Sequence, residues 1–130
     1  MMRLKDWPER LAAFMDERRS MPFGWVTNDC STFAADAVAA MTGECLQIPA
    51  ADSPEAYARL IRDHGTLREM AEALLGEPIH PAYAQRGDVV LLVMDERETL
   101  GVCVGAKIAG PGTDGLVLAP MSMAVAAWRI

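Results

Sequence analysis

Residues 86–106 read RGDVVLLVMDERETLGVCVGA, and here the chain stops spacing its apolar residues as a helix does and begins to mass them as a strand does. The run Asp88–Met94 is rich in Val and Leu. The charged DERE at 95–98 reads as a hairpin connection, which places a second strand over Leu100–Ala106. Gly87 supplies the turn into the first strand, so the Arg-Gly-Asp triplet at 86–88 reads as the approach to a strand rather than an adhesion motif. Further on, GPGTDG at 110–115 makes another turn, LVLA at 116–119 a third strand and AVAAWRI at 124–130 a fourth.

Upstream of this switch the punctuation is helical. Asp6 stands where a cap would, Pro8 and Glu9 suit a first turn, and Trp7, Leu11, Phe14 and Met15 make an apolar stripe running to about Arg18. The charged DERRS at 16–20 then reads as a solvated helix end. A second helix starts near Cys30, carries Phe33, Ala34, Ala37, Val38 and Met41 at helical spacing, and stops at Gly43. Ser53-Pro54-Glu55 starts a third helix, with Tyr57, Leu60 and Ile61 on one face and Gly65 at its end. Thr66 and Glu69 have capping-box spacing for a fourth, which Gly76 and Pro78 close. Helices followed by antiparallel strands define an α+β fold, with N-terminal helices packed on a C-terminal sheet in a single domain over 1–130. No internal repeat or linker divides the chain.

Composition narrows the partners. The 130 residues are 52% hydrophobic and 23% charged, enough to bury a core without a staple. Twelve Lys and Arg against eighteen Asp and Glu give a net charge of −6, which disfavours a nucleic-acid surface. The start MMRLKDWPERL lacks a secretory apolar segment, and DVVLLVM and MAVAAW are strand-sized, too short to span a bilayer. A reducing compartment is expected. Cys30, Cys45 and Cys103 are odd in number and widely spaced, against a disulfide framework or a zinc site, and Cys45 and Cys103 read as small core hydrophobes. No cofactor and no metal site is indicated. The nine methionines suit either an adaptable contact surface or ordinary core filling, and Trp25 reads as packing its loop against the core.

The chemistry concentrates at residues 27–38, TNDCSTFAADAV. Asn28 and Asp29 are preferred caps, so Cys30 falls in the first turn, where unpaired N–H groups and the helix dipole favour a negatively charged sulfur. A nucleophilic thiol needs a base beside it. His64, at a helix end before Gly65, suits interaction with C-terminal carbonyls. His80, before Pro81 in the loop leading to the first strand, is the candidate substitute base.

DCSTF at a helix start, QRGDVVLL some fifty residues on, then GVCVG and GLVLAP, resemble in order and spacing the NlpC-type cell-wall peptidases of the papain-like superfamily. In that family the helix opens D-C-S-G-F, the first strand follows R-P-G-D, the second reads H-V-G-I-Y-x-G and the third carries a polar residue. The likeness covers about 22–120. With PFGW at 22–25 and the terminal AWRI, the chain resembles more closely the small NlpC-like proteins encoded among phage and prophage tail genes. The resemblance implies Cys30 as the nucleophile position and Asp29 as the acidic residue before it. It puts Leu100 where the family has its catalytic histidine, Leu118 near the polar orienting residue, and Thr32 in place of a glycine. Leucine neither takes nor returns a proton, so both leucines are expected to face the Cys30 helix and fill the site with hydrocarbon. The function implied is a non-catalytic structural or accessory protein of a phage tail tip or tail assembly. It would be made in the bacterial cytoplasm, bind other tail or assembly proteins, and be carried in the virion tail. An active cysteine peptidase or amidase cleaving cell-wall peptides, and a peptide- or glycan-binding module using the old groove, are the alternatives.

Overall fold

A computed structural model describes residues 1–49 and 51–130. Four helices come first: α1 (Trp7–Arg18), α2 (Cys30–Thr42), α3 (Pro54–His64) and α4 (Leu67–Leu75). Five strands follow: β1 (Val89–Met94), β2 (Arg97–Cys103), β3 (Lys107–Gly112), β4 (Gly115–Pro120) and β5 (Ala124–Trp128), with short 3-10 turns at Pro81–Tyr83 and Met121–Met123. The strands form one antiparallel sheet in the order β4-β3-β2-β1-β5. This is the α+β arrangement expected, helices first and sheet last.

The helix boundaries follow local chemistry. The Asp29, Ser53 and Thr66 side chains cap α2, α3 and α4, Thr66 in a full capping box with Glu69, and Gly43 ends α2 at φ +79. Asp6 departs from expectation: its side chain makes no cap bond and instead accepts from Arg10 Nε at 2.8 Å, which holds the carboxyl below its usual pKa.

The strands differ more. β2 begins at Arg97, three residues before the expected Leu100, because only Asp95 and Glu96 form the turn, at φ +50 and +63. GPGTDG is not all turn either. Gly110, Pro111 and Gly112 belong to β3, a strand the sequence pattern did not reveal, and only Thr113 and Asp114 connect it to β4. Proline is tolerated there because β3 pairs with β2 only at Ala109 and Ile108, so at Pro111 no neighbour asks for an N–H. Gly115 is required by closeness: a Cβ there would meet the Arg19 carbonyl oxygen.

The sheet's two faces are covered differently. α2 lies across β2 and β3, with α1 beside it, and Leu11, Phe33, Val38 and Met41 meet Val89, Leu91, Leu100, Val102 and Trp128 in the principal core. Alanines at 34, 35 and 37 let α2 sit close to the sheet. Burying each large apolar side chain contributes about 1.5–3 kcal/mol. On the opposite face Val90, Leu92, Cys103, Ile108 and Ala127 are covered by Ile79, Ala84, Met121 and Met123. Of the two cysteines assigned to the core, Cys103 is buried and Cys45 is exposed.

A buried clasp fixes the start of β1. Asp88, fully buried, accepts from Arg3 Nη2 at 2.9 Å, from Ile130 N at 3.2 Å and from Gln85 N at 2.8 Å. Arg3 also donates to the main-chain oxygens of Ile130 and Arg86 and stacks 4.0 Å from the Trp7 ring. The aspartate of the Arg-Gly-Asp triplet is thus interior.

Candidate functional site

The site is built on the loop before α2. Gly24 and Asn28 pair through their main chains, closing a tight turn that holds Val26 at φ +70, a strained setting for a β-branched residue. Asn28 is buried and makes the turn's inner scaffold. Its Nδ2 donates to the Met21 and Pro22 carbonyls, and its Oδ1 accepts from Arg18 Nη1 at 3.0 Å. Arg18 is buried too, donating to Asp36 Oδ2 at 2.6 Å and lying 4.7 Å from the Phe14 ring centroid. The expectation of a solvated end at DERRS is therefore wrong for Arg18, which bridges α1, α2 and the turn.

Asp29 joins turn to helix: Oδ1 accepts from Thr32 N at 2.8 Å and Oδ2 from Val26 N at 2.9 Å. Cys30 follows as the first helical residue, half-buried against the principal core, its Sγ 4.0 Å from Ser31 Oγ. In the loop before it, the Trp25 ring lies 6.0 Å, centroid to centroid, from that of Tyr57 of α3 and meets Phe23 edge-on at 5.1 Å. Burial raises the Tyr57 hydroxyl pKa first, followed by negative charge at Cys30, Glu98 and Asp29. Glu98 sits on the helix-facing side of β2 and accepts from Arg68 N, at the start of α4, at 3.4 Å. Neither Tyr57 nor Glu98 is marked by any local motif. A tyrosine on an amphipathic face and an acid beside a turn have nothing in sequence to join them to Cys30.

The expected base positions resolve as follows. Leu100 is buried and lines a small apolar cavity of about 30 Å³ with Ser31, Ala34 and Ala35 of α2 and Leu67 and Ala71 of α4. It faces α2 as expected. Counted from Gly101 and Gly105, however, the histidine of H-V-G-I-Y-x-G falls on Thr99, and the pleat turns that residue the other way. Thr99 opposes Leu92 of the second core, Leu100 opposes Leu91 of the first. Leu118 corrects the expectation outright. It opposes Ala109 on the helix side, but at the edge strand, where it is 59% exposed and borders α1 residues Leu11, Ala12 and Met15 rather than Cys30.

The chain's two histidines are not brought to the thiol. His80 follows Ile79, which pairs with Ala127 of β5 and packs in the second core, across the sheet from α2. Its Nδ1 accepts from Ala82 N at 3.0 Å, and its ring lies 6.2 Å from Tyr83. His64 closes α3, exposed, seven residues and so about 10 Å along the helix axis from Tyr57. Among the described residues no three His, Cys, Asp or Glu side chains gather as metal ligands, and no helix is long and apolar enough to cross a membrane.

The fold and site define an α+β protein with a side-chain-capped, aromatic-flanked cysteine where its central helix starts. The model of one family, described as a domain of unknown function (DUF6950), matches residues 2–130, and the chain belongs to that family. A comparison with curated proteins finds no match.

Proposed function

We propose that this chain is a non-catalytic protein of NlpC-like, papain-like type that acts through its shape and surface, as a structural or accessory component of a phage tail tip or tail assembly. The observation that carries the non-catalytic reading is where the two imidazoles stand: His80 follows Ile79 on the face of the sheet away from α2, and His64 closes α3 at its exposed end. A thiol without an imidazole beside it lacks the group that in a cysteine peptidase takes its proton and returns one to the leaving amine. The phage setting rests on the sequence resemblance, including PFGW and AWRI. The peptidase reading loses its base with His80 across the sheet. The binding-module reading is favoured by Trp25 and Tyr57, whose rings offer apolar area beside the former nucleophile position.

Incubation of purified protein with muropeptides is expected to give no hydrolysis. Cys30→Ala is expected to fold and to retain the same co-purifying chains. Turnover by the native protein that Cys30→Ala abolishes would replace this reading with the peptidase one.

A further inference from the structure

We propose that the free edge of β4 is a docking strip for an extended segment of a partner protein, which lays an apolar side chain into the groove between α1 and β4 and brings an acidic side chain to Arg86. The main chain of β4 is the first support. With a two-residue turn at 113–114, Gly112 and Gly115 form the first hydrogen-bonded pair of the β3–β4 hairpin, so Gly115, Val117 and Ala119 aim their main-chain groups at β3 while Leu116 and Leu118 aim theirs outward. Leu116 bears this out: its N–H donates to the Arg19 carbonyl at 3.0 Å. Phe23 N donates to Gly112 O at 2.8 Å, so the chain after α1 covers the turn end of this edge. Among the described residues no main-chain partner meets the N–H or C=O of Leu118. Exposed edges are ordinarily guarded by charge, and GLVLAP at 115–120 has none; Pro120 only ends the strip. Val117 and Leu118 are 50% and 59% exposed, one on each face.

The groove decides the occupant. It is an open channel of about 480 Å³ beside Leu118, walled by Leu11, Ala12 and Met15 of α1 and by Leu116. Asp16 and Arg19 at its rim pair with each other. Arg86, also at the rim, has no carboxylate partner among the described residues. An apolar channel with an unpaired cation, on a chain of net charge −6, complements a segment that is apolar and acidic.

The register gives the order of those side chains. Arg86 stands towards Pro120, because Gly87 N donates to Cys103 O, Val104 N donates to Lys107 O, and Lys107 opposes Pro120. A strand added antiparallel to β4 exchanges both main-chain hydrogen bonds with Leu118 and places the residue opposite it over the groove. The residue two positions earlier in that strand then points to the same face at the Arg86 end. The pattern is acid-x-apolar. Cys30 takes no part, so failure here and failure of the non-catalytic reading are separate results.

NMR titration of the intact, isotope-labelled protein with the acetylated and amidated peptide Thr-Glu-Thr-Leu-Val-Thr tests the proposal. Shift changes are expected to centre on the Val117, Leu118 and Ala119 amides, with the Leu118 N–H moving downfield as it gains an acceptor. Leu118→Pro deletes the outward donor and leaves the β3 ladder intact; it is expected to weaken binding by about tenfold or more. Arg86→Ala is expected to weaken binding by about threefold and to erase the preference for this peptide over its Gln counterpart. That variant keeps the Arg86 carbonyl that Arg3 uses, so it reports even where Leu118→Pro fails to fold. Absence of shifts at these amides with millimolar peptide overturns the proposal. So does binding that neither variant weakens, or dimerisation of the native chain that Leu118→Pro abolishes, which would give the edge to a second copy.

Discussion

Tyr57 gives the site a titration that can be read from stability. Its pKa is raised in the folded protein, by burial first and then by Cys30, Glu98 and Asp29, above the ordinary value of 10.0. As pH climbs past that value the unfolded chain gives up the phenolic proton while the folded one keeps it. The unfolded state then binds fewer protons, so stability falls with rising pH from about 10 towards the raised folded value. Denaturant titrations of the native protein and Tyr57→Phe at pH 8 and pH 11 are expected to show a smaller alkaline loss in the variant; equal losses would mean the phenol is not desolvated in the folded protein. Arg18 shows the opposite relation between residue and sequence. Nothing in DERRS marks it as interior, because the groups that take it out of water, Asn28 and Asp36, lie ten and eighteen residues away. Buried charge is set by tertiary partners, and a local charge run does not name them.

Among the elements, the β1–β2 hairpin is the clearest target. Asp95 and Glu96 both take positive φ, the two-residue geometry that suits Asn-Gly and strains other residues. Replacing them together by Asn and Gly is expected to stabilise the protein by about 0.5–1 kcal/mol, read as a raised thermal midpoint. A lowered midpoint would mean the acidic pair makes contacts that outweigh its backbone strain. The same turn explains what was legible. Helix ends depend on caps a few residues away, so α2, α3 and α4 could be placed from Asn28-Asp29, Ser53-Pro54 and Thr66-Glu69. Strand ends depend on partners across the sheet. Arg97 and Glu98 look like loop residues until they pair with Met94 and Val93, and Gly110-Pro111-Gly112 look like a turn until β4 pairs with them. The Cys30 position was legible for the same reason as the helices; Tyr57 and Glu98, brought in by α3 and β2, were not.

At the scale of the whole molecule, the Asp88 clasp ties the start of β1 to Arg3, 85 residues away, and to Ile130, 42 residues away, while Arg3 and Ile130 join across 127. Contacts that close loops of this length form after local helices and hairpins, because their closure entropy is repaid only once the intervening chain is ordered. The clasp should therefore be largely absent from the folding transition state. Removing one side of such a buried pair costs about 3–5 kcal/mol. In Asp88→Ala nearly all of it should fall on the unfolding limb of a chevron, on the order of a hundredfold or more, with refolding within about threefold of native. Refolding that slows in proportion to the lost stability would place the clasp in the nucleus instead. With the carboxylate in place, the fold's persistence is a matter of escape rate: a chain that has closed its clasp stays folded long after the equilibrium that selected it has ceased to matter.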